Sequence, residues 1–226
     1  MSPTPHLDQP AHEFGPAPEA TGMAVILIHG RTQGPQDMVA IADRLNVQDV
    51  SYVALQASDN SWYPDKFMAP LENNRPHLDH ALARVEVAVG RLEDRGIPRS
   101  RIVLLGFSQG ACLACEFVYR NPTRWGGLVA YTGGLIGPEQ MTWLLDRKLQ
   151  RTPIFLGNGD ADPWVPLART DQTATVFGRM GGDVELETYP GREHAVCDDE
   201  IAHGRAIIQL LKQSVSAQVD SRGSNE

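Results

Sequence analysis

Cysteine is scarce in this chain. Cys112, Cys115 and Cys197 are the only three. An odd, low count builds no disulfide framework and suits a reducing compartment. An excess of basic residues is missing too. The formal net charge is -8 and the sequence pI is about 5.3. Such a surface offers no footprint for a phosphate backbone, and it disfavours docking on anionic lipid. No apolar run approaches the roughly 20 residues that span a bilayer. The first twenty residues carry Asp8, Glu13 and Glu19, with neither a basic n-region nor an apolar h-region, so no signal peptide is expected. No phosphate-cradling G-x-x-x-x-G-K-[ST] run occurs. These absences point to a cytoplasmic protein with no nucleic-acid partner and no integral membrane association.

What is present is ordinary globular material. Of 226 residues, 42% are hydrophobic and 21% charged, enough for one sizeable core. Residues 1–20 hold Pro3, Pro5, Pro10, Pro16 and Pro18 and are expected to be loosely ordered. Residues 21–213 read as a single domain, and 214–226 as a polar tail that frays. The domain alternates apolar runs with amphipathic ones. Strands are expected over 23–28, 51–55, 101–107, 127–131, 153–156 and 184–189. Helices are expected over about 35–47, 76–95, 109–119, 166–180 and 200–212, with Gly96 stopping the second. Strands separated by helices predict an α/β fold, with a mostly parallel sheet covered on both faces. In such sheets, sites form at the carboxyl ends of strands.

One motif sits at such an end. Gly106-Phe107-Ser108-Gln109-Gly110 matches G-x-S-x-G, directly after an apolar strand and directly before a helix. The turn is tight enough to strain the serine backbone, and side chains two positions either side would collide. Glycine at both places relieves this and leaves the Ser108 hydroxyl exposed above the sheet. The helix that follows aims its N–H groups at the same place.

A nucleophilic serine needs a base, and the base needs an acid to orient it. Two histidines follow Ser108, namely His194 and His203. His194 lies in a loop between a strand and the last helix, whereas His203 falls inside that helix as a surface or packing residue. His194 is therefore the candidate base. The acid is Asp160 or Asp162, both in the loop after the strand at 153–156. One shapes the turn by binding backbone amides and the other reaches the imidazole. Local chemistry leaves the two even.

Six stretches in order resemble the phospholipase/carboxylesterase family of α/β-hydrolases, which includes acyl-protein thioesterases and small bacterial carboxylesterases. They are Leu27-Ile28-His29-Gly30, Trp62-Tyr63-Pro64, the elbow through Ala111, Tyr131-Thr132-Gly133-Gly134-Leu135, Gly159 to Pro166, and Tyr189 to His194. The resemblance covers about residues 23–212. It implies an α/β-hydrolase fold, and at 226 residues no large cap domain is expected. It also implies that Asp162 is the catalytic acid, with Asp160 forming the turn. The backbone amides of Arg31 and Gln109 would form the oxyanion hole. The chain departs from the thioesterase form H-G-L-G-D, having His29-Gly30-Arg31-Thr32-Gln33-Gly34, and a basic side chain at 31 is placed to reach toward the site. The family is compatible with a homodimer.

Other features are weaker. His29 is expected to shape the hole by hydrogen bonding. Trp62, Tyr63, Phe67 and Met68 form an apolar cluster in the long connection 57–75, expected to wall the acyl pocket, with Trp164 beside the acid also lining the cleft. Cys112 and Cys115 form a CxxC, but at helical spacing such cysteines pack as small apolar residues. No cysteine set completes a metal site, and the chemistry requires no cofactor. The expected function is a serine carboxylesterase acting on short- to medium-chain esters through an acyl-enzyme. A lysophospholipase or acyl thioesterase is the nearest alternative. A non-catalytic ligand-binding protein on a hydrolase scaffold is the alternative of another class.

Overall fold

The computed structural model describes residues 4–146 and 148–223. Seven strands form one sheet: β1 (Ala11–Phe14), β2 (Ala24–Ile28), β3 (Ser51–Leu55), β4 (Ile102–Phe107), β5 (Gly127–Tyr131), β6 (Pro153–Gly159) and β7 (Asp183–Tyr189). Their order is β1-β3-β2-β4-β5-β6-β7. Only the β1–β3 pairing is antiparallel. The helices are α1 (Pro18–Thr21), α2 (Pro35–Leu45), α3 (Leu71–Asn74), α4 (His77–Asp94), α5 (Gln109–Arg120), α6 (Leu167–Arg179) and α7 (Asp198–Gly223).

The strand sequences explain the two-sided core. In β2, all five residues of AVILI are buried. Ala24, Ile26 and Ile28 face one core with α4, α5 and α6, while Val25 and Leu27 face the other with α2 and α7. That is the period-two alternation of a strand sandwiched between helix layers. Helix ends follow local chemistry. Pro35 opens α2, and the Asp37 carboxylate accepts the Gly34 N–H at 2.8 Å. Gly96, at φ +82°, reverses the chain after α4. The crossover from β5 to β6 has no helix among its described residues. It closes its core face with Leu135, Ile136, Trp143 and Leu149. The buried Arg169 guanidinium donates to the Leu135, Gly137 and Pro138 carbonyls of that crossover. Among the described residues, none of the connections forms a separate cap domain.

Three expectations are corrected. Residues 1–20, expected to be loosely ordered, contain β1 and α1, because Pro10 and Pro16 flank the four-residue edge strand without interrupting it. His6 is buried as well. At the other end α7 continues past Ser214, where fraying was expected, and Val215 is buried in the second core. Strand β6 runs on through Gly157-Asn158-Gly159 because β7 pairs with it as far as Tyr189. Asn158 is buried there, donating to the Val165 carbonyl and the Thr170 hydroxyl.

Candidate active site

Four strand ends converge. Ser108 follows β4 at the middle of the sheet, the 29–34 turn follows β2, Asp162 follows β6 and His194 follows β7. Ser108 has φ 55° and ψ -120°, a backbone that side chains rarely adopt. Its surroundings leave no relaxed alternative. A Cβ at Gly106 would collide with the Gly110 carbonyl, and one at Gly110 with the Ile28 carbonyl. The two elbow glycines let α5 close onto β2 and β4, and the strain falls on the serine.

Three side chains form a continuous hydrogen-bonded chain. His194 Nε2 lies 2.7 Å from Ser108 Oγ, and His194 Nδ1 lies 2.7 Å from Asp162 Oδ2. The imidazole is 18% exposed and the Asp162 side chain is fully shielded. Phe107 packs against the imidazole at 5.2 Å between ring centres. Asp162 Oδ1 accepts the amides of Trp164 and Val165 at 2.8 and 3.0 Å. The two amides fix the carboxylate and aim its second oxygen at the imidazole. The division of labour between the aspartates therefore differs from expectation. Asp162 both binds its turn and meets the imidazole. Asp160 instead reaches across to accept the Gly191 N–H at 2.6 Å, bracing the histidine loop.

Beside Ser108 lies the turn His29-Gly30-Arg31. A Cβ at Gly30 would stand 3.3 Å from the Ser108 Cβ. The Gly30 amide is taken by Gln33 Oε1 at 2.9 Å. The Arg31 and Gln109 amides have no hydrogen-bond partner among the described residues. His29 Nε2 accepts the Ala57 N–H, so its Nδ1 carries the proton and donates to the Gly30 carbonyl at 2.7 Å. Burial holds the His29 pKa below the usual imidazole value. The Arg31 side chain turns away from the site, donating to the carbonyls of Tyr63, Pro64 and Asp65. The expected reach toward a substrate is thus replaced by docking on the neighbouring loop.

The pocket expectation is also corrected. Trp62 and Tyr63 are 0% and 2% exposed, and Phe67 is buried in the same core. Trp62 lies between the tilted rings of His6 and His29, and its indole N–H donates to the His29 carbonyl. The Gln109 side chain accepts the Trp62 N–H and donates to the Tyr63 carbonyl. These aromatics buttress the Arg31 and Gln109 backbone from behind. A sequence shows an aromatic cluster but not which face of it is covered. Trp164 stands 67% exposed beside Asp162.

Other titratable groups are placed away from the chemistry. Burial pushes the Cys112 thiol up to about 12, so it stays protonated. His203 stacks on Phe155 with ring centres 4.5 Å apart and pairs with Glu185. With Glu187 these are the one set of ligand atoms clustered tightly enough for a cation among the described residues, and no residue of the Ser108 chain belongs to it. Sequence reasoning missed Glu200 and Arg192. Glu200 is fully buried below the histidine loop and paired with Arg192. No local pattern distinguishes that pair from surface charges.

Comparisons with known proteins address the chain as a whole. The family model described as Phospholipase/Carboxylesterase matches residues 16–212. A phospholipase/carboxylesterase structure from Dyadobacter fermentans is 37% identical with a TM-score of 0.81, covering 92% of this chain and 96% of its own. Acyl-protein thioesterase 1 of Debaryomyces hansenii is 33% identical over 125 residues, 54% of each chain. The matched stretch thus spans about half the length of such curated relatives. The Bacillus cereus carboxylesterase, at 15% identity and a TM-score of 0.71, covers 90% of this chain and 95% of its own and shares the fold. The chain belongs to the phospholipase/carboxylesterase family, a family of serine hydrolases built on the α/β-hydrolase fold.

Proposed function

We propose that this protein is a serine carboxylesterase that cleaves short- to medium-chain carboxylic esters by two-step acyl transfer. The observation that carries the reading is the unbroken chain Ser108–His194–Asp162, with both links at 2.7 Å. His194 takes the proton as Ser108 Oγ attacks the acyl carbonyl. The Arg31 and Gln109 amides receive the oxyanion, each worth about 3 kcal/mol of barrier. His194 then hands its proton to the leaving alcohol. Water, deprotonated by the same imidazole, releases the acid. Asp162 holds the imidazole tautomer and stabilises its charged form. A non-catalytic binder would need no such alignment of base and acid on Ser108. The three unpaired thiols suit a cytoplasmic setting.

A second reading is acyl thioester hydrolysis, favoured by relatives named acyl-protein thioesterase 1. The experiment is hydrolysis of p-nitrophenyl esters from acetate to palmitate beside acyl-thiol substrates, with Ser108→Ala as control. Ester turnover peaking at short to medium chains supports the carboxylesterase. Faster turnover of thioesters at matched acyl length favours the second reading. Activity retained in Ser108→Ala overturns both.

A further inference from the structure

The loop that carries His194 has little backbone bonding of its own. Its internal bonds are Arg192 N–H to the Tyr189 carbonyl at 3.3 Å and Ala195 N–H to the Glu193 carbonyl at 2.9 Å. Side chains supply what backbone does not: Asp160 holds Gly191, Arg44 donates to the Val196 carbonyl at 3.2 Å, and Arg192 with Glu200 holds the residues next to His194. The Glu200 carboxylate, in the first turn of α7, receives both terminal nitrogens of Arg192. It also accepts the Cys197 N–H at 3.0 Å. Arg192 in turn donates to the Ala195 carbonyl and lies over the Tyr189 ring at 4.3 Å. The pair therefore grips the chain on both sides of His194, at residue 192 before it and at 195 and 197 after it.

The sheet makes room for this grip. A Cβ at Gly157 would collide with the Glu200 carboxylate, and one at Gly159 with the Arg192 carbonyl. Both glycines lie in β6, the strand that leads to Asp162. The histidine loop is thus seated directly against the strand that delivers its acid. Stability alone is a poor account of the arrangement. Removing an ion pair from water costs about what its attraction returns, and apolar residues of similar volume often do as well. What a bidentate guanidinium–carboxylate pair supplies is direction.

We propose that Arg192 and Glu200 are positioning residues. They fix the His194 backbone so that the imidazole stands between Ser108 and Asp162, while touching neither the substrate nor the reacting atoms. The inference rests on the reading of Ser108, His194 and Asp162 as the catalytic chain. A displacement of about 1 Å at a reacting group costs on the order of 100-fold in rate. Loosening the grip therefore lowers kcat and leaves KM nearly unchanged.

The test uses the full chain with p-nitrophenyl butyrate, and kcat is referred to active sites titrated with a fluorophosphonate. Labelling of the wild type that disappears in Ser108→Ala establishes the catalytic reading first; labelling that persists removes that reading and this one with it. Glu200→Gln keeps the shape but loses the charge. Gly157→Ala presses on Glu200 from the sheet side without altering either partner. Both are expected to lose about 10- to 100-fold in kcat per titrated site, with KM within about twofold. Arg192→Lys, which keeps the charge but not the fork, should fall between wild type and Arg192→Met. A purely structural pair would lower Tm and leave kcat per titrated site intact. That result, in Glu200→Gln or in Gly157→Ala should Glu200→Gln fail to fold, overturns the proposal.

Discussion

Ser108 is held at φ 55° by neighbours that leave it no other conformation, and its proton has one acceptor, His194 Nε2. On the proposed mechanism, Ser108→Ala loses about 10^6 in kcat while its circular dichroism spectrum stays that of the wild type. Asp162→Asn should cost about 10^4, because an amide opposite Nδ1 favours the wrong imidazole tautomer. The fall should appear in kcat from steady-state ester hydrolysis, with thermal unfolding showing a folded protein. Much of this residue-level picture is legible in sequence. The elbow is a local steric problem with a local solution, so Gly106 and Gly110 announce it. His194 is legible because it sits at a strand's carboxyl end, whereas Asp162 shares that position with Asp160 and is told from it only by the family resemblance. Arg31 is not, because only the fold decides that its side chain meets the Tyr63–Asp65 carbonyls before it meets a ligand.

Among the elements, β4 and α5 are the pair on which the site depends. Their approach is limited by atoms that glycine lacks. Gly110→Ala forces a Cβ onto the Ile28 carbonyl and should destabilise by more than about 3 kcal/mol, since neither backbone can yield cheaply. Gly90, inside α4, is the opposite case. A Cβ there meets nothing within 4 Å. Gly90→Ala should therefore gain about 0.5–1 kcal/mol, because alanine has the higher helix propensity. Denaturant unfolding of the two variants beside wild type checks both signs. The long apolar elements are legible for the same physical reason that they are stable, namely that their periodicity matches the faces they bury. Strand β1 is not. Four residues between prolines carry no such period, and the strand exists because β3 offers an unpaired edge.

Across the whole molecule, the N-terminal segment is tied to the site's foundation. His6 Nδ1 accepts the Ser58 N–H and its Nε2 donates to the Trp62 carbonyl. Trp62 in turn is bonded to Gln109 and His29. Burial lowers the His6 pKa to about 4. The unfolded chain takes up that proton near pH 6.5, whereas the folded chain resists it until about pH 4. The unfolded state binds more protons in that window, so stability falls as pH drops through it and levels off below. His6→Gln should flatten this part of the profile, as read from Tm at pH 7 and pH 5. An unchanged slope would show that His6 does not resist protonation. The link from residue 6 to residue 109 is invisible in sequence, because it passes through backbone carbonyls brought together by the sheet.

On the proposed mechanism, Ser108 is a nucleophile activated by His194. The most direct test is covalent labelling with a fluorophosphonate, followed by peptide mass mapping in wild type, His194→Ala and Ser108→Ala. A single adduct on the peptide containing Ser108, slowed by at least about 100-fold in His194→Ala and absent in Ser108→Ala, is the predicted result. No adduct in wild type, or an adduct that survives in Ser108→Ala, would contradict it.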